Sequence, residues 1–116
     1  MAGARQLLRN GLALADCRVR LARTWWQRAV GLLATPQLED PRGLWIAPCN
    51  SVHTIGMRYP IDVVFVSADA RVLKLVRALR PLRAAVCRGA HATLELRAGS
   101  IDEYGLRAGD TITPAA

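Results

Sequence analysis

The stretch PIDVVFVSADARVLKLVRA, residues 60–78, holds two apolar runs separated by a short polar turn. In the first run, Pro60–Ser67, the residues after Asp62 form an uninterrupted apolar segment, which is typical of a buried strand. In the second run, Arg71–Ala78, Val72 and Val76 share a face with Lys74, and the other face carries Leu73, Leu75 and Arg77. The sequence therefore predicts an antiparallel hairpin joined through Ala68-Asp69-Ala70.

Shorter strand signals lie on both sides of this hairpin. The run from Cys17 to Ala22 alternates apolar and basic residues, which is the period of a half-exposed strand. Other short apolar runs, each bounded by proline or glycine, predict strands at Gly43–Ala47, His91–Arg97 and Thr111–Thr113.

Helical signals are few. Thr24 can accept hydrogen bonds from the first turn of a helix over residues 25–33, and Ser100 can do the same for a single helical turn that Gly105 ends. Strands outnumber helices and their connections are too short for repeated crossover helices, so a doubly wound sheet is excluded. The prediction is an α+β fold: a small, mainly antiparallel β-barrel or half-barrel with one short N-terminal helix and one helical turn near the C-terminus.

Length and composition restrict the class of protein. A chain of 116 residues, 52% of them hydrophobic, predicts a single β-rich domain, placed at residues 15–116, with residues 1–14 as a loose extension. Three cysteines cannot all pair within one chain, which favours a reducing compartment. No stretch of the sequence approaches the roughly 18 consecutive apolar residues that a membrane-spanning helix needs. We therefore predict a cytoplasmic protein without a membrane partner and leave its oligomeric state open.

The net charge of +7 comes almost entirely from arginine, because Lys74 is the only lysine among the sixteen basic residues. This bias is typical of a GC-rich coding sequence. The arginines are also scattered, with denser runs only at residues 18–23 and 77–83, whereas a footprint on a phosphate backbone would be clustered. A nucleic-acid partner is therefore not expected.

A dense group of polar side chains precedes the hairpin, between Cys49 and Asp62. Arg58 supplies a planar guanidinium suited to a carboxylate or phosphate, and His53 with nearby hydroxyls supplies orienting hydrogen bonds. In this interpretation Asp62 holds Arg58 or His53 in place. We predict non-catalytic binding of a small anionic or polar ligand, or of an anionic partner, by Asn50, Ser51, His53, Thr54, Met57, Arg58 and Asp62.

Two alternatives remain open for this segment. Cys49 or Ser51 beside His53 could be the nucleophile and base of a hydrolase or transferase. The segment could instead form a purely structural polar network with only weak binding of an anionic partner such as a nucleic acid.

Cys49-x-x-x-His53 and Cys87-x-x-x-His91 share one spacing, and thiolate and imidazole donors of this kind suit zinc. On an extended chain, residues four apart lie about 13 Å from each other, so each pair would need a turn between its members. Buried cysteines are also common without any ligand role. No metal and no other cofactor is therefore predicted.

The segment CNSVHTIGMRYPIDVVFV, residues 49–66, resembles the signature of an uncharacterised family, domain of unknown function 192, also called a conserved ACR family. The resemblance extends to flanking motifs and covers nearly all of residues 17–113. It implies a single small α+β domain and no established reaction. It also implies a common site, carried onto Ser51, His53, Thr54, Met57, Arg58 and Asp62. The chain departs from the family pattern at Leu33, where methionine is frequent, and Cys87 and His91 fall outside the motif.

Overall fold

The computed structural model describes residues 4–22 and 43–116, and β-strands dominate these ranges. In chain order the strands are β1 (Arg5–Arg9), β2 (Leu12–Ala22), β3 (Gly43–Ile46), β4 (Ser51–His53), β5 (Ile61–Val66), β6 (Val72–Leu79), β7 (Ala84–Val86), β8 (Ala92–Arg97) and β9 (Ile112–Pro114). A short helix, α1 (Ser100–Tyr104), lies between β8 and β9.

The predicted hairpin is confirmed as β5 and β6, which pair antiparallel. β5 is buried along its whole length, and its apolar side chains alternate between two hydrophobic clusters. Val64 and Val66 belong to one cluster, whereas Val63 and Phe65 belong to the other. A strand covered on both faces explains why this apolar run is continuous in the sequence.

β5 belongs to a seven-stranded sheet with the order β6-β5-β8-β3-β2-β1-β9. Most neighbours are antiparallel, as predicted, but β2 and β3 run parallel and make the sheet mixed. β4 and β7 form a separate two-stranded sheet, which we call the ribbon. The strands predicted at Gly43–Ala47, His91–Arg97 and Thr111–Thr113 correspond to β3, β8 and β9.

Of the predicted barrel or half-barrel, the closed barrel is wrong, because the mixed sheet is not closed. Its edge strands, β6 and β9, approach each other at one corner, where Arg71 and Thr111 form an isolated antiparallel bridge. Beyond that corner β6 continues along β5, whereas β9 follows β1. Since the two edges follow different partners, they do not build the continuous ladder that a barrel requires.

The first residues also differ from the expectation of a loose extension. Residues 5–14 form β1 and the beginning of β2. β1 pairs with β2 on one side and with β9 on the other, and Leu7 is fully buried. The predicted strand from Cys17 to Ala22 is the second part of β2, which continues through Asp16 despite the positive φ of 57° at that residue.

The helical turn predicted near the C-terminus is confirmed as α1, which ends at Gly105 in the left-handed conformation with φ 64°. Its start differs, because Gly99 and not Ser100 occupies the N-cap position. Ser100 is buried, and its Oγ has no hydrogen-bond partner among the described residues. The other predicted helix, residues 25–33 with Thr24 as its cap, lies outside the described residues. Within residues 4–22 and 43–116, no helix has the length and apolar character needed to cross a membrane.

Candidate functional site

The ribbon carries part of the polar segment to the protein surface. Ser51 of β4 lies opposite Val86 of β7, and His53 lies opposite Ala84. Along β4, Val52 is buried in the core, whereas Ser51 is exposed and His53 is half-buried. Because alternate residues of a strand share a face, Ser51 and His53 project to the same side of the ribbon.

A pocket of about 440 Å³ lies between the ribbon and edge strand β6, and we call it the ribbon pocket. β4 and β7 supply small and apolar walls together with the hydroxyl of Ser51 and the imidazole of His53. β6 supplies the ammonium group of Lys74. The lining consists of Ser51, Val52, His53, Lys74, Ala84, Ala85 and Val86.

Lys74 gives the ribbon pocket its charge. Its Nζ donates a hydrogen bond to the carbonyl oxygen of Val86 at 3.1 Å, which holds the ammonium against the ribbon and connects β6 to β7. An ammonium has three donors, so this bond leaves two for a ligand or for water. Among the described residues the lining contains no acidic side chain, so the charge that these residues give the pocket is positive.

Thr54, predicted to bind ligand, is fully buried and organises two loops. Its hydroxyl donates to the carbonyl oxygen of Arg80 at 2.7 Å and accepts from the amide of Arg83 at 2.8 Å. Its carbonyl oxygen accepts from the amides of Met57 and Leu82. These bonds hold residues 54–57 against residues 80–83, so the hydroxyl of Thr54 is engaged within the protein.

Asp62 has a role other than the predicted bonding to Arg58 or His53. Its side chain is buried, one carboxylate oxygen accepts from the amide of Ala78 at 2.9 Å, and the other accepts from two amides at the start of α1. Those two are Gly99, at 3.1 Å, and Ile101, at 2.8 Å. Asp62 therefore supplies, from a distant strand, the N-terminal cap that Ser100 was predicted to provide.

The remaining predicted ligand-binding residues lie at different depths. Met57 is buried in the hydrophobic cluster beneath the ribbon. Asn50 is exposed, and its carbonyl oxygen accepts from the amide of Cys87 at 2.9 Å. Arg58 is exposed and is not one of the residues that line the ribbon pocket. Of the residues predicted to bind a ligand, Ser51 and His53 line the ribbon pocket.

Cys49, the predicted nucleophile of the enzymatic alternative, is half-buried at the start of the polar segment. Its thiol donates to the carbonyl oxygen of Ser51, with an Sγ–O distance of 3.1 Å. Cys49 also lies outside the lining of the ribbon pocket.

The spacing shared by the two Cys–His pairs does not produce a cluster of donors. In the part of the chain that the structure describes, no group of three or more His, Cys, Asp or Glu side chains could hold a metal ion. Cys87 is half-buried against the hydrophobic cluster beneath the ribbon, and His91 is exposed.

Tyr59 adds a polar group close to this cluster. Burial raises the pKa of the Tyr59 phenol above its ordinary value of 10.0, and the negative charge of the buried Glu95 raises it further. The phenol is therefore protonated at neutral pH, where it can donate a hydrogen bond but cannot act as a base.

Sequence reasoning missed Lys74 because this residue lies in β6, outside the polar segment. One signal was available: it is the only lysine in a chain whose other basic residues are all arginine. Its placement beside Ser51 and His53 depends on the ribbon packing next to β6, which the local pattern does not encode.

The comparison with known families agrees with the resemblance noted in the sequence. The family model DUF192, described as Uncharacterized ACR, matches residues 7–114. A UPF0127 protein of Thermococcus sibiricus is 35% identical over an alignment of 101 residues, and the match covers 82% of this chain. The match spans 64% of that curated relative, slightly less than two thirds of its length.

Two crystal structures share the fold. A protein of unknown function from Novosphingobium aromaticivorans DSM 12444 has a TM-score of 0.74 and 23% identity, covering 95% of this chain and 83% of its own. A protein from Sinorhizobium meliloti 1021, described as a "putative transcription regulator", has a TM-score of 0.79 and 22% identity. The match covers 98% of this chain and 96% of the Sinorhizobium chain. At such identities the likeness establishes the fold alone.

Proposed function

We propose, from the premise that this chain belongs to the DUF192 family, that it binds a small anionic ligand in the ribbon pocket without catalysing a reaction. The observation that carries the proposal is the group of Lys74, Ser51 and His53 in a lining whose described residues include no carboxylate. The pocket volume of about 440 Å³ is in the range of small-molecule sites.

Each polar lining residue has a distinct role in this proposal. Lys74 is the charge anchor, since an ammonium binds a carboxylate or phosphate oxygen as a point charge. The hydroxyl of Ser51 and the imidazole of His53 orient the anionic group by hydrogen bonds. The small apolar walls from β7 contact the rest of the ligand, and the ammonium of Lys74 disfavours a cationic ligand.

In this proposal the side chain that binds the negative charge of the ligand is Lys74, whereas the sequence predicted Arg58. Arg58 is exposed outside the pocket lining, whereas Lys74 enters it and is held by Val86. The enzymatic alternative has less support, because the thiol of Cys49 is bonded to a backbone carbonyl away from the pocket. Binding therefore accounts for the site better than catalysis does.

The proposal is tested by an NMR titration of the isotope-labelled protein with phosphate, sulfate, acetate and a short dicarboxylate at constant ionic strength. We expect saturable amide shifts confined to β4, β7 and the surroundings of Lys74 for at least one of these anions. Lys74→Met should weaken that binding about tenfold or more, because it removes a charged hydrogen-bond donor. Ser51→Ala should weaken it by a smaller factor.

The matched control is Arg107→Gln, which also removes one exposed positive charge but lies next to α1. It should leave the affinity unchanged. The absence of a saturable shift with every anion, or equal losses for Lys74→Met and Arg107→Gln, would overturn the proposal.

A further inference from the structure

The ribbon ends in two loops that present apolar side chains to solvent. We call residues 54–58 and 80–83 the loop pair. Ile55 is 63% exposed and Leu82 is 69% exposed. The amide of Leu82 donates to the carbonyl oxygen of Thr54 at 3.3 Å, and the amide of Thr54 donates to that of Arg83 at 2.8 Å. These bonds place the two apolar side chains on neighbouring loops.

The backbone keeps Leu82 in this position by an unusual conformation. Leu82 has a positive φ of 63°, which a bulky residue adopts only where its surroundings impose it. Leu82 is held by buried Thr54, whose hydroxyl bonds to Arg80 and Arg83 on either side of it and whose carbonyl oxygen accepts from the Leu82 amide itself. These hydrogen bonds therefore hold the loop pair in one defined conformation.

Positive charge surrounds the apolar tips. Arg58, Arg80 and Arg83 are exposed, and none of them forms an ion pair with an acidic residue in the ranges that the structure describes. The sequence contains no Asp or Glu at residues 41–61 or at residues 70–94, which include both loops. The loop pair thus combines exposed apolar side chains with unopposed cations.

We propose that the loop pair is a docking surface for an anionic phospholipid membrane. Ile55 and Leu82 would enter the boundary between headgroups and acyl chains, while Arg58, Arg80 and Arg83 would contact the lipid phosphates. Shallow burial of apolar side chains together with attraction of nearby cations to an anionic leaflet is the physical basis of peripheral membrane binding. The attachment is reversible and involves no spanning helix.

Two other partners fit the same surface less well. Single-stranded nucleic acid is held by exposed aromatic side chains on which bases stack, and the loop pair contains no aromatic residue. A stable protein interface buries about 800 Å² per partner around a packed core, which two loop tips do not provide. A lipid surface needs neither stacked bases nor a packed core, and the exposed apolar side chains and the arginines supply the two kinds of contact that it does need.

This inference differs from the expectation that the protein has no membrane partner. That expectation rested on the length of apolar windows, which detects segments that cross a bilayer. Ile55 and Leu82 come from separate parts of the chain, and only the pairing of β4 with β7 brings them together. A window along the sequence therefore does not detect this surface.

The test is co-sedimentation of the full chain with vesicles of phosphatidylcholine alone and of phosphatidylcholine mixed with phosphatidylglycerol. We expect binding to the mixed vesicles that decreases with salt, and little binding to the neutral ones. The double variant Arg80→Gln, Arg83→Gln should lower the partition coefficient about tenfold or more. The variant Ile55→Ser, Leu82→Asn should also lower it, and asparagine suits the left-handed backbone of Leu82.

The matched controls are Leu12→Ser, which removes an apolar side chain that is 75% exposed in β2, and Arg18→Gln, which removes an exposed charge from the same strand. Both should bind as the unchanged protein does, and circular dichroism should show that every variant is folded. Equal losses in the controls and the loop variants would overturn the proposal. Equally strong binding of a single-stranded oligonucleotide through the same residues would also overturn it.

Discussion

The region around α1 and the region around the ribbon both concentrate charged and polar side chains. At α1 these groups bind to the protein itself: Asp62 accepts from amides at the helix start, and Arg9 donates to the carbonyl oxygens of Tyr104 at 2.8 Å and Gly105 at 2.7 Å. Arg9 also pairs with Asp110 at 3.0 Å. Every one of these contacts joins segments that are distant in the sequence.

At the ribbon the charges face outward. Lys74 makes one bond to a backbone carbonyl, and Arg58, Arg80 and Arg83 are exposed. The comparison teaches that polar residues of one motif divide between the two regions: Asp62 stabilises the fold, whereas Ser51 faces a pocket. A dense polar segment in the sequence is therefore not by itself a functional site. The structure has to show where each polar side chain lies and what it contacts.

The largest expected effect is at Asp62. Replacing Asp62 by alanine leaves three backbone amides without their acceptor, and we expect a loss of about 3–5 kcal/mol in the free energy of unfolding measured with urea. Asp102→Ala is the control, since that carboxylate is 73% exposed in its pair with Arg77 and should cost less than about 1 kcal/mol. Comparable losses in both variants would show that the amide bonds of buried Asp62 stabilise the fold no more than an exposed ion pair does.

A smaller effect is expected at Thr54, within the polar motif itself. Thr54→Val keeps the shape of the side chain but removes the hydroxyl bonds to Arg80 and Arg83, and should cost about 2 kcal/mol on unfolding. Ser51→Ala, at an exposed position in the same strand segment, should change stability by less than about 0.5 kcal/mol. If Ser51→Ala were as destabilising as Thr54→Val, Ser51 would belong to the structural group.

The smallest expected effect is at Asp110, whose carboxyl group makes the free energy of unfolding depend on pH. Burial raises the pKa of this carboxyl group, but the amide of Arg107 and the charge of Arg9 lower it more, so the pKa ends below its ordinary value of 3.8. A lowered folded-state pKa contributes stability that is complete above 3.8 and disappears as the pH falls through the folded value.

We therefore expect Asp110→Asn to reduce the stability at neutral pH by about 1 kcal/mol and to make the loss in acid less steep. Urea unfolding at a series of pH values measures both quantities. Asp102→Asn is the control, because its carboxylate is largely exposed. An unchanged acid slope in Asp110→Asn would show that Asp110 does not contribute to this pH dependence.

Local features of the fold could be predicted from the sequence. β5 and β6 are neighbours in the chain and have a short connection, so their pairing follows from the hydrophobic pattern. The same is true of the turn at α1, which glycines bound on both sides. These features depend on residues that are close in the sequence.

The features that could not be predicted depend on distant residues. β1 is stabilised by β9 as well as by β2, and the parallel contact of β2 with β3 has no local signature. The role of Asp62 depends on where α1 packs, and the role of Lys74 depends on where the ribbon packs. Pattern reasoning named Ser51 and His53, which line the ribbon pocket, but it could not place Lys74 beside them.

The pairing of β1 with β9 has a consequence for how the protein is made. Arg9 in β1 pairs with Ile112 in β9. During translation β1 therefore leaves the ribosome long before β9, the strand that covers its outer edge, has been synthesised. Until then a nascent chain carries an uncovered strand edge, the kind of surface that recruits strands from other chains. Chaperone contact during translation, and aggregation when synthesis stalls before β9, are the expected results of this late closure.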